Sequence, residues 1–435
     1  MLPGASCLCR FIFGGEIIVL NQKNIFLFTY TYPYGDGEQF IETELVHLKR
    51  KFGHVILVPS KIEGSRRPMP TPVEVDLSLA KNGLKAGVLA KSAALSLSSR
   101  VLLEEISQRP VSVMHRKSFI AICSYLYWAI KSRDWVLSYI SDNDIDINDS
   151  IFYTYWLGEV TMGLILAKGK NSQIKVVSRV HGADLYEERH IPQYLPFRTF
   201  IFKNIDNIFT ISENGRSYLR ARFNGLSDKF VLSRLGVDDP SDEASPSEDG
   251  KFRILSCSFI SPVKRLGLLI EGIREFGERH PDTSVEWQHI GDGPGRSSLE
   301  EAASRLPQSI EYGFLGTLAH QDVVDYYRTH PIDVFINVSE MEGLPVSIME
   351  AQSFGVPVIA TAVGGTPEIV TEDNGILLPS NPSPDDISRA LESFTSDRTL
   401  MMAKRKQSRL NWRLNYDSKS NYVKFCKYLQ EILAK

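Results

Sequence analysis

The chain has 435 residues, 43% of them hydrophobic and 23% charged, with a net charge of −3 at pH 7. That length provides for about two or three domains with ample core, and the near-balanced charge excludes a general nucleic-acid binder, which needs a basic surface. Five scattered cysteines (Cys7, Cys9, Cys123, Cys257 and Cys426) exclude a disulfide framework and suit reduced thiols in a cytosolic compartment. Cys7-x-Cys9 has no later Cys/His cluster to complete a zinc site, so no metal is expected there. No segment reaches the roughly 18 uninterrupted apolar residues of a spanning helix.

Residues 1–23 read as an uncertain leader: Arg10 interrupts the apolar part and Glu16 follows soon after, which is not the order of a signal peptide. The first convincing strand begins at Asn24, with Ile25–Thr31 apolar. The loop Tyr32–Glu38 follows, then an amphipathic helix marked by Phe40, Leu45, Leu48 and Phe52, then a strand at Val55–Val58. This is a βαβ signature. Gly35 and Gly37 would let backbone approach a ligand phosphate or sugar, or would merely make the turn. The spacing is not that of a dinucleotide fingerprint. Between Lys81 and Asp134 nine basic residues face three acidic ones, and Phe119–Ile130 carries Tyr125, Tyr127 and Trp128. That stretch reads equally as a seat on an anionic membrane or as a buried helix with a solvated basic neighbour. Asp142, Asp144 and Asp146 offer an Asp-x-Asp pattern, but in an Asn/Asp/Ser loop where turn chemistry explains them.

A strand at Ile174–Val180 ends in His181-Gly182-Ala183-Asp184, where the histidine either touches a ligand in an inter-domain cleft or caps a loop. Ile208–Ile211 runs into the N-cap signal Ser212-Glu213-Asn214. Lys229–Ser233 and Leu235–Val237 close a first domain over 24–237. Residues 238–250, rich in Asp, Pro, Ser and Glu, read as a linker. A second alternation then fills 251–411: strand Phe252–Ser256, helix Leu266–Phe276, strand Val285–Ile290, strand Ile310–Leu315, helix Gln321–Tyr327 and strand Ile332–Val338. The fold expected is α/β, with two facing doubly wound Rossmann-like domains and a cleft between them. Residues 412–435 read as one amphipathic helix that packs across the domain junction.

The richest stretch is 339–368. The apolar strand ending at Val338 leads into a polar loop with Glu342 and Gly343. Pro345 sits where a helix begins, and Glu350 lies in that helix. A second strand, Val356–Ala360, runs into Gly364-Gly365. Free amides at Gly343 and Leu344, reinforced by the helix dipole, make an anion site suited to a diphosphate, and Gly364 and Gly365 could add backbone donors. Two carboxylates beside a diphosphate fit as acceptors for sugar and ribose hydroxyls. Lys264 and Arg265, on the loop after the domain's first strand, are the candidates to neutralise the phosphates. Together these parts describe a site for a nucleotide diphosphate sugar with no obligatory metal.

These residues resemble the family-4 retaining glycosyltransferases of the GT-B architecture. The resemblance is carried by Glu342-Gly-Leu-Pro-Val-Ser-Ile-Met-Glu350, Gly355-Val-Pro-Val-Ile, Gly364-Gly365-Thr-Pro-Glu368 and Asn374-Gly375. Ile290-Gly-Asp-Gly-Pro294 and Phe314-Leu-Gly316 support it. In the first half His181-Gly-Ala-Asp-Leu-Tyr186 and Phe209-x-Ile-Ser-Glu213 are similar to the subgroup that builds bacterial capsule, exopolysaccharide and O-antigen chains. The resemblance implies these roles: Glu342 on the donor sugar's hydroxyls, Glu350 on the ribose, Lys264 on the departing diphosphate, the Gly343 and Leu344 amides on donor oxygens, and His181 near the sugar. Gly37 would join the donor contacts. Many members carry an Arg five residues before the lysine; here that position is Phe259, and Arg265 is the candidate to supply the charge.

The activity implied is transfer of a sugar from a nucleotide diphosphate sugar, the only co-substrate expected, to a growing lipid-linked or free glycan. The work would be done in the cytoplasm, against the inner membrane face, without nucleic acid or metal. Retention would follow from attack on the leaving-group face, because no nucleophile stands out, with the leaving phosphate oxygen accepting the acceptor's proton. The alternative is a non-catalytic sugar-nucleotide binder or scaffold of the same fold, suggested by Phe259.

Overall fold

A computed structural model describes residues 10–13, 16–19, 23–35, 37–81, 100–109 and 116–435. Cys7, Cys9, Lys85 and Lys91 lie outside the described residues. Arg10–Phe13 and Glu16–Val19 pair as an antiparallel two-stranded sheet, so two short strands precede the one expected first.

The chain divides into two compact units. The first takes the chain up to Ile211, then Arg216–Ser233 and Tyr422–Lys435. Its sheet has seven parallel strands in the spatial order Glu74–Val75, His54–Pro59, Asn24–Thr29, Ser150–Thr154, Lys175–Val180, Asn207–Thr210 and Phe230–Leu232. These strands read as unbroken apolar runs because both faces of a parallel sheet are covered; Ile25, Phe26 and Leu27 are fully buried in succession. The chain reverses its direction of travel across the sheet between Asn24–Thr29 and Ser150–Thr154, which pair directly. Such a switch point, at the carboxyl ends of the strands, is where open α/β sheets bind ligands.

The helix Arg116–Asp142 resolves the two readings of the aromatic stretch. Ile122, Leu126, Tyr127, Ala129 and Ile130 are buried, and all but Tyr127 and Ile130 belong to one core cluster with Phe26, Phe28 and Phe152. The aromatic stretch therefore serves the interior, and the membrane seat expected there is not supplied by it. In the acidic loop Asp146 accepts the Asn148 amide at 2.9 Å, the turn chemistry its composition suggested.

The second unit takes Ser212–Gly215 and Arg234–Asn421. Six parallel strands run in the order Ile310–Gly316, Val285–Ile290, Phe252–Cys257, Val334–Asn337, Val358–Thr361 and Gly375–Leu378. The switch point falls between Phe252–Cys257 and Val334–Asn337.

Three expectations change. Residues 238–250 are not a free linker. Ala244 and Ser247 are buried, the Ala244 amide donates to Phe354, the Ser247 amide to Asp333, and Arg409 reaches Asp239 at 2.6 Å. The polar composition that suggested a loop is spent on hydrogen bonds with the second unit. The single helix expected over 412–435 is two, Arg398–Asn415 and Ser418–Leu433. The break has a cause: Asp417 accepts the Ser420 amide at 2.9 Å and caps the second helix. That helix's Phe425 and Leu429 are fully buried in the first unit's core. Finally, the strand Ser150–Thr154 and the helix Glu159–Lys168 were not anticipated.

Candidate active site

At the second unit's switch point the strand Phe252–Cys257 gives way to a loop and a single 3-10 turn, Pro262–Lys264. Arg265 follows in the left-handed region at φ 49°, and the helix Leu266–Arg279 begins at once. This tight passage aims Lys264 at the neighbouring loop, which follows Val334–Asn337. There Glu342 Oε1 accepts from Lys264 Nζ at 2.7 Å and from Asn337 Nδ2 at 3.2 Å. The Glu340 amide donates to the Val263 carbonyl at 2.8 Å, tying the two loops together. An ammonium has three protons to donate, so the bond to Glu342 leaves Lys264 with donors for an anion.

Gly364 explains how the third loop closes on this pair. Its φ is +54°, and an added Cβ would stand 2.0 Å from the Glu342 carbonyl oxygen. Only glycine permits both that conformation and that approach. The Gly365 amide donates to the Gly343 carbonyl at 2.9 Å, so it braces the Glu342 loop rather than waiting for a ligand, which corrects the donor role expected of it. The Gly343 and Leu344 amides have no hydrogen-bond partner among the described residues. Pro345 immediately precedes the helix Val346–Ser353.

Arg265 also differs from expectation. Its guanidinium donates to the carbonyls of Val338 at 2.7 Å, Ser339 at 2.9 Å and Ser380 at 3.1 Å. It clamps backbone that carries Glu342, and that occupation competes with a phosphate role. Phe259, which stands where a second cation was looked for, is 64% exposed and borders an apolar cavity of about 650 Å³ with Ile260, Leu266 and Leu299.

Glu350 lies on the helix Val346–Ser353, with Oε1 3.4 Å from His320 Nδ1. Burial holds its carboxyl above the usual range, with His320 acting the other way. Burial likewise pushes the Cys257 thiol up to about 12, with Glu350 adding to the rise and Lys264 opposing it. That thiol is inert, and its surroundings place Glu350 and Lys264 around the end of one strand.

His181 and Gly37 stand in the first unit. His181 is 7% exposed, its ring centroid 4.3 Å from that of Trp156 and 4.8 Å from that of Tyr155. Its amide donates to Asp184 Oδ1 at 2.7 Å. Its ring Nδ1 stands 3.8 Å from Asp184 Oδ2, beyond hydrogen-bond reach, and Nε2 has no hydrogen-bond partner among the described residues. Burial pushes the Asp184 carboxyl up, but the His181 side chain and the amides of Leu157 and His181 outweigh it and hold the carboxyl low. The Gly37 carbonyl accepts from Arg67 at 2.6 Å, and the Gly35 amide donates to Ser65, so the glycine loop is closed down by residues 63–67. The turn-making reading of these glycines fits that closure. The residue missed in this loop is Glu38: buried, at φ 63°, it accepts the amides of Tyr30, Thr31 and Tyr32 and Trp156 Nε1. An acidic residue directly after two loop glycines was its only signal. Glu368, quoted in the motif without a role, accepts the Glu213 and Asn214 amides at 2.8 and 2.7 Å.

Comparison with known proteins places this geometry. Residues 238–411 match the model described as glycosyl transferases group 1. The colanic acid biosynthesis glycosyltransferase WcaL of Escherichia coli (strain K12) is 28% identical over 221 residues, covering 48% of this chain and 52% of that protein. A phosphatidylinositol N-acetylglucosaminyltransferase of Arabidopsis thaliana is 35% identical over 200 residues, 45% of this chain and 43% of that protein. The chain thus spans about half the length of the curated relatives it matches. Among solved structures, a glycosyltransferase from Rickettsia africae ESF-5 superposes with a TM-score of 0.64 at 15% identity, covering 95% of this chain and 99% of that one. Anabaena HepE in complex with UDP superposes with a TM-score of 0.63 at 16% identity, over 94% and 100%. The chain therefore carries a group 1 glycosyl transferase domain over residues 238–411, in a two-unit GT-B fold.

Proposed function

We propose that this protein moves a sugar from a nucleotide diphosphate sugar to a growing, lipid-linked cell-surface oligosaccharide, with retention of configuration and without a metal. The observation that carries the reading is the Lys264–Glu342 pair at the switch point of the group 1 domain, 2.7 Å apart and beside two uncommitted loop amides. Departure of a nucleotide diphosphate leaves oxocarbenium-like charge on the anomeric carbon, and stabilising the leaving group is the main electrostatic task. Lys264 supplies the fixed positive charge, and the Gly343 and Leu344 amides supply oriented donors. Glu342, held by Lys264 and Asn337, reads sugar hydroxyls; Glu350 reads the ribose; His181, with its Nε2 uncommitted, positions the sugar. The acceptor hydroxyl attacks from the leaving-group face and gives its proton to the departing phosphate oxygen.

The relatives support the substrate class. HepE was solved with UDP-glucose, and the WcaL and phosphatidylinositol relatives are named for polysaccharide and glycolipid products. A lipid-linked acceptor brings the protein to the inner membrane face. No described helix is long and apolar enough to cross a membrane, and the helix Arg116–Asp142 spends its aromatics on the core. Thermal melting against a panel of nucleotide sugars tests the donor. One or more should raise the melting temperature by several degrees through mass action, and no rise with any of them overturns the reading. Product NMR then tests retention, and turnover in EDTA tests metal independence.

A further inference from the structure

The first unit has a cavity of its own, about 340 Å³, at the carboxyl ends of its parallel strands. Thr29, Ser60 and Thr154 border it from three of those strand ends, so it occupies the switch point of the first sheet. Its volume is at the small end of ligand pockets, the size for a single ring.

The lining is built rather than incidental. Trp156 presents an aromatic ring there and is fixed by the bond from its Nε1 to Glu38 at 2.6 Å. Arg198, 7% exposed, donates to the carbonyls of Leu157 and Asp184, yet its Nε has no partner among the described residues. The Tyr125 hydroxyl is also buried without a partner there, and burial holds its pKa up so that it remains a donor. Buried donors without partners are costly, and these two line the same cavity. Glu159, first residue of the helix Glu159–Lys168, has no hydrogen-bond or ion-pair partner among the described residues and completes the wall as an acceptor. The charges are two carboxylates, Glu159 and Asp184, against the Arg198 guanidinium and His190. That balance disfavours a phosphate. An aromatic ring, uncommitted donors and an uncommitted carboxylate around a ring-sized space match a neutral polyhydroxylated ring, whose C–H face packs on tryptophan while its hydroxyls both give and take hydrogen bonds.

We propose that this cavity binds the terminal pyranose of the acceptor glycan, with Glu159 accepting from a ring hydroxyl and Arg198 and Tyr125 donating to ring oxygens. Assigning the ring to an acceptor rests on the glycosyltransferase reading; the affinity for a pyranose does not. The probes are the methyl pyranosides of glucose, galactose, mannose and N-acetylglucosamine, observed by saturation-transfer NMR on the full chain. At least one should give a saturable signal with the wild type. Gly158→Phe should abolish it: Gly158 borders the cavity at an extended φ of −149°, and an added Cβ there meets nothing within 4 Å. Glu159→Gln, which keeps the shape, should weaken binding at least about tenfold; melting curves of both variants without sugar check the fold. Absence of binding to every pyranoside, or binding unchanged in both folded variants, overturns the proposal. Pyranoside binding in a protein that no nucleotide sugar stabilises would instead keep the cavity and remove the glycosyltransferase reading.

Discussion

Lys264 and Arg265 are adjacent cations with different occupations, and the difference can be measured. Lys264 holds Glu342 through one of its three protons, whereas Arg265 donates to three backbone carbonyls. Removing a charge that stabilises a departing diphosphate costs roughly 10²–10³ in kcat, so Lys264→Ala should lose that much turnover with a nearly unchanged melting temperature. Arg265→Ala should show the reverse emphasis: stability falls by on the order of 2 kcal/mol, as expected for lost charge-assisted hydrogen bonds, while the kcat of the protein that stays folded drops far less. Equal kcat losses in steady-state kinetics would show that both cations serve the phosphates. The identities of Lys264, Glu342 and Glu350 were legible because their spacing is a motif. Their partners were not, since sequence does not say that Lys264 meets Glu342 from a loop far back along the chain or that Arg265 turns to Val338. Glu38, Glu159 and Arg198 were missed for the same reason: each is an ordinary charged residue until the fold brings amides, a cavity or carbonyls to it.

Strands and helices were easiest to read where they repeat the βαβ rhythm. Val285–Ile290 was anticipated to the residue, and most other strands nearly so. The omitted strand Ser150–Thr154 is five residues long and runs directly from an acidic loop into Tyr155 and Trp156, with no glycine or proline to mark its end. Two predictions belong to the connecting loops. Gly364→Ala forces a Cβ to within 2.0 Å of the Glu342 carbonyl at a left-handed φ, so it should cost about 1–3 kcal/mol of stability and lower turnover at least tenfold by displacing Glu342. Crystallography of that variant should show the 339–345 loop moved. The second concerns His289, on the strand next to Phe252–Cys257, bonded to the Ser256 hydroxyl at 2.9 Å and the Ser258 carbonyl at 3.1 Å. Burial lowers its pKa from 6.5 to about 4. The unfolded chain therefore binds a proton there that the folded chain refuses between those two values. Stability is complete above pH 6.5 and falls as the pH drops towards 4, by on the order of 3 kcal/mol from this group. Denaturant titrations of the wild type and His289→Gln across that range should give a shallower slope for the variant; parallel slopes would remove His289 as the cause.

At the level of the molecule, both sheets show the same order, with the chain's first strand central and the reversal beside it. That symmetry was legible as two successive strand–helix alternations, and it fixes a binding locus in each unit. What the sequence did not convey is how the ends are used, because the last helix has no strand of its own to announce its position. Phe425 packs 4.9 Å from Phe209 and 5.3 Å from Tyr153, ring centroid to centroid, and the Arg179 guanidinium lies 4.3 Å over its ring. Arg179 is fully buried and paired with Glu44 at 3.1 Å. Phe425→Ala should therefore cost about 3–5 kcal/mol, seen as a lower denaturation midpoint, despite lying far along the chain from the strands it supports. The account as a whole turns on one measurement. Purified wild-type protein is incubated with a radiolabelled nucleotide sugar that stabilises it and with a lipid extract as acceptor. The account predicts label in the lipid-linked glycan at a rate that Lys264→Ala cuts at least about a hundredfold. A donor that binds tightly while no label leaves it, or transfer undiminished in Lys264→Ala, would contradict it.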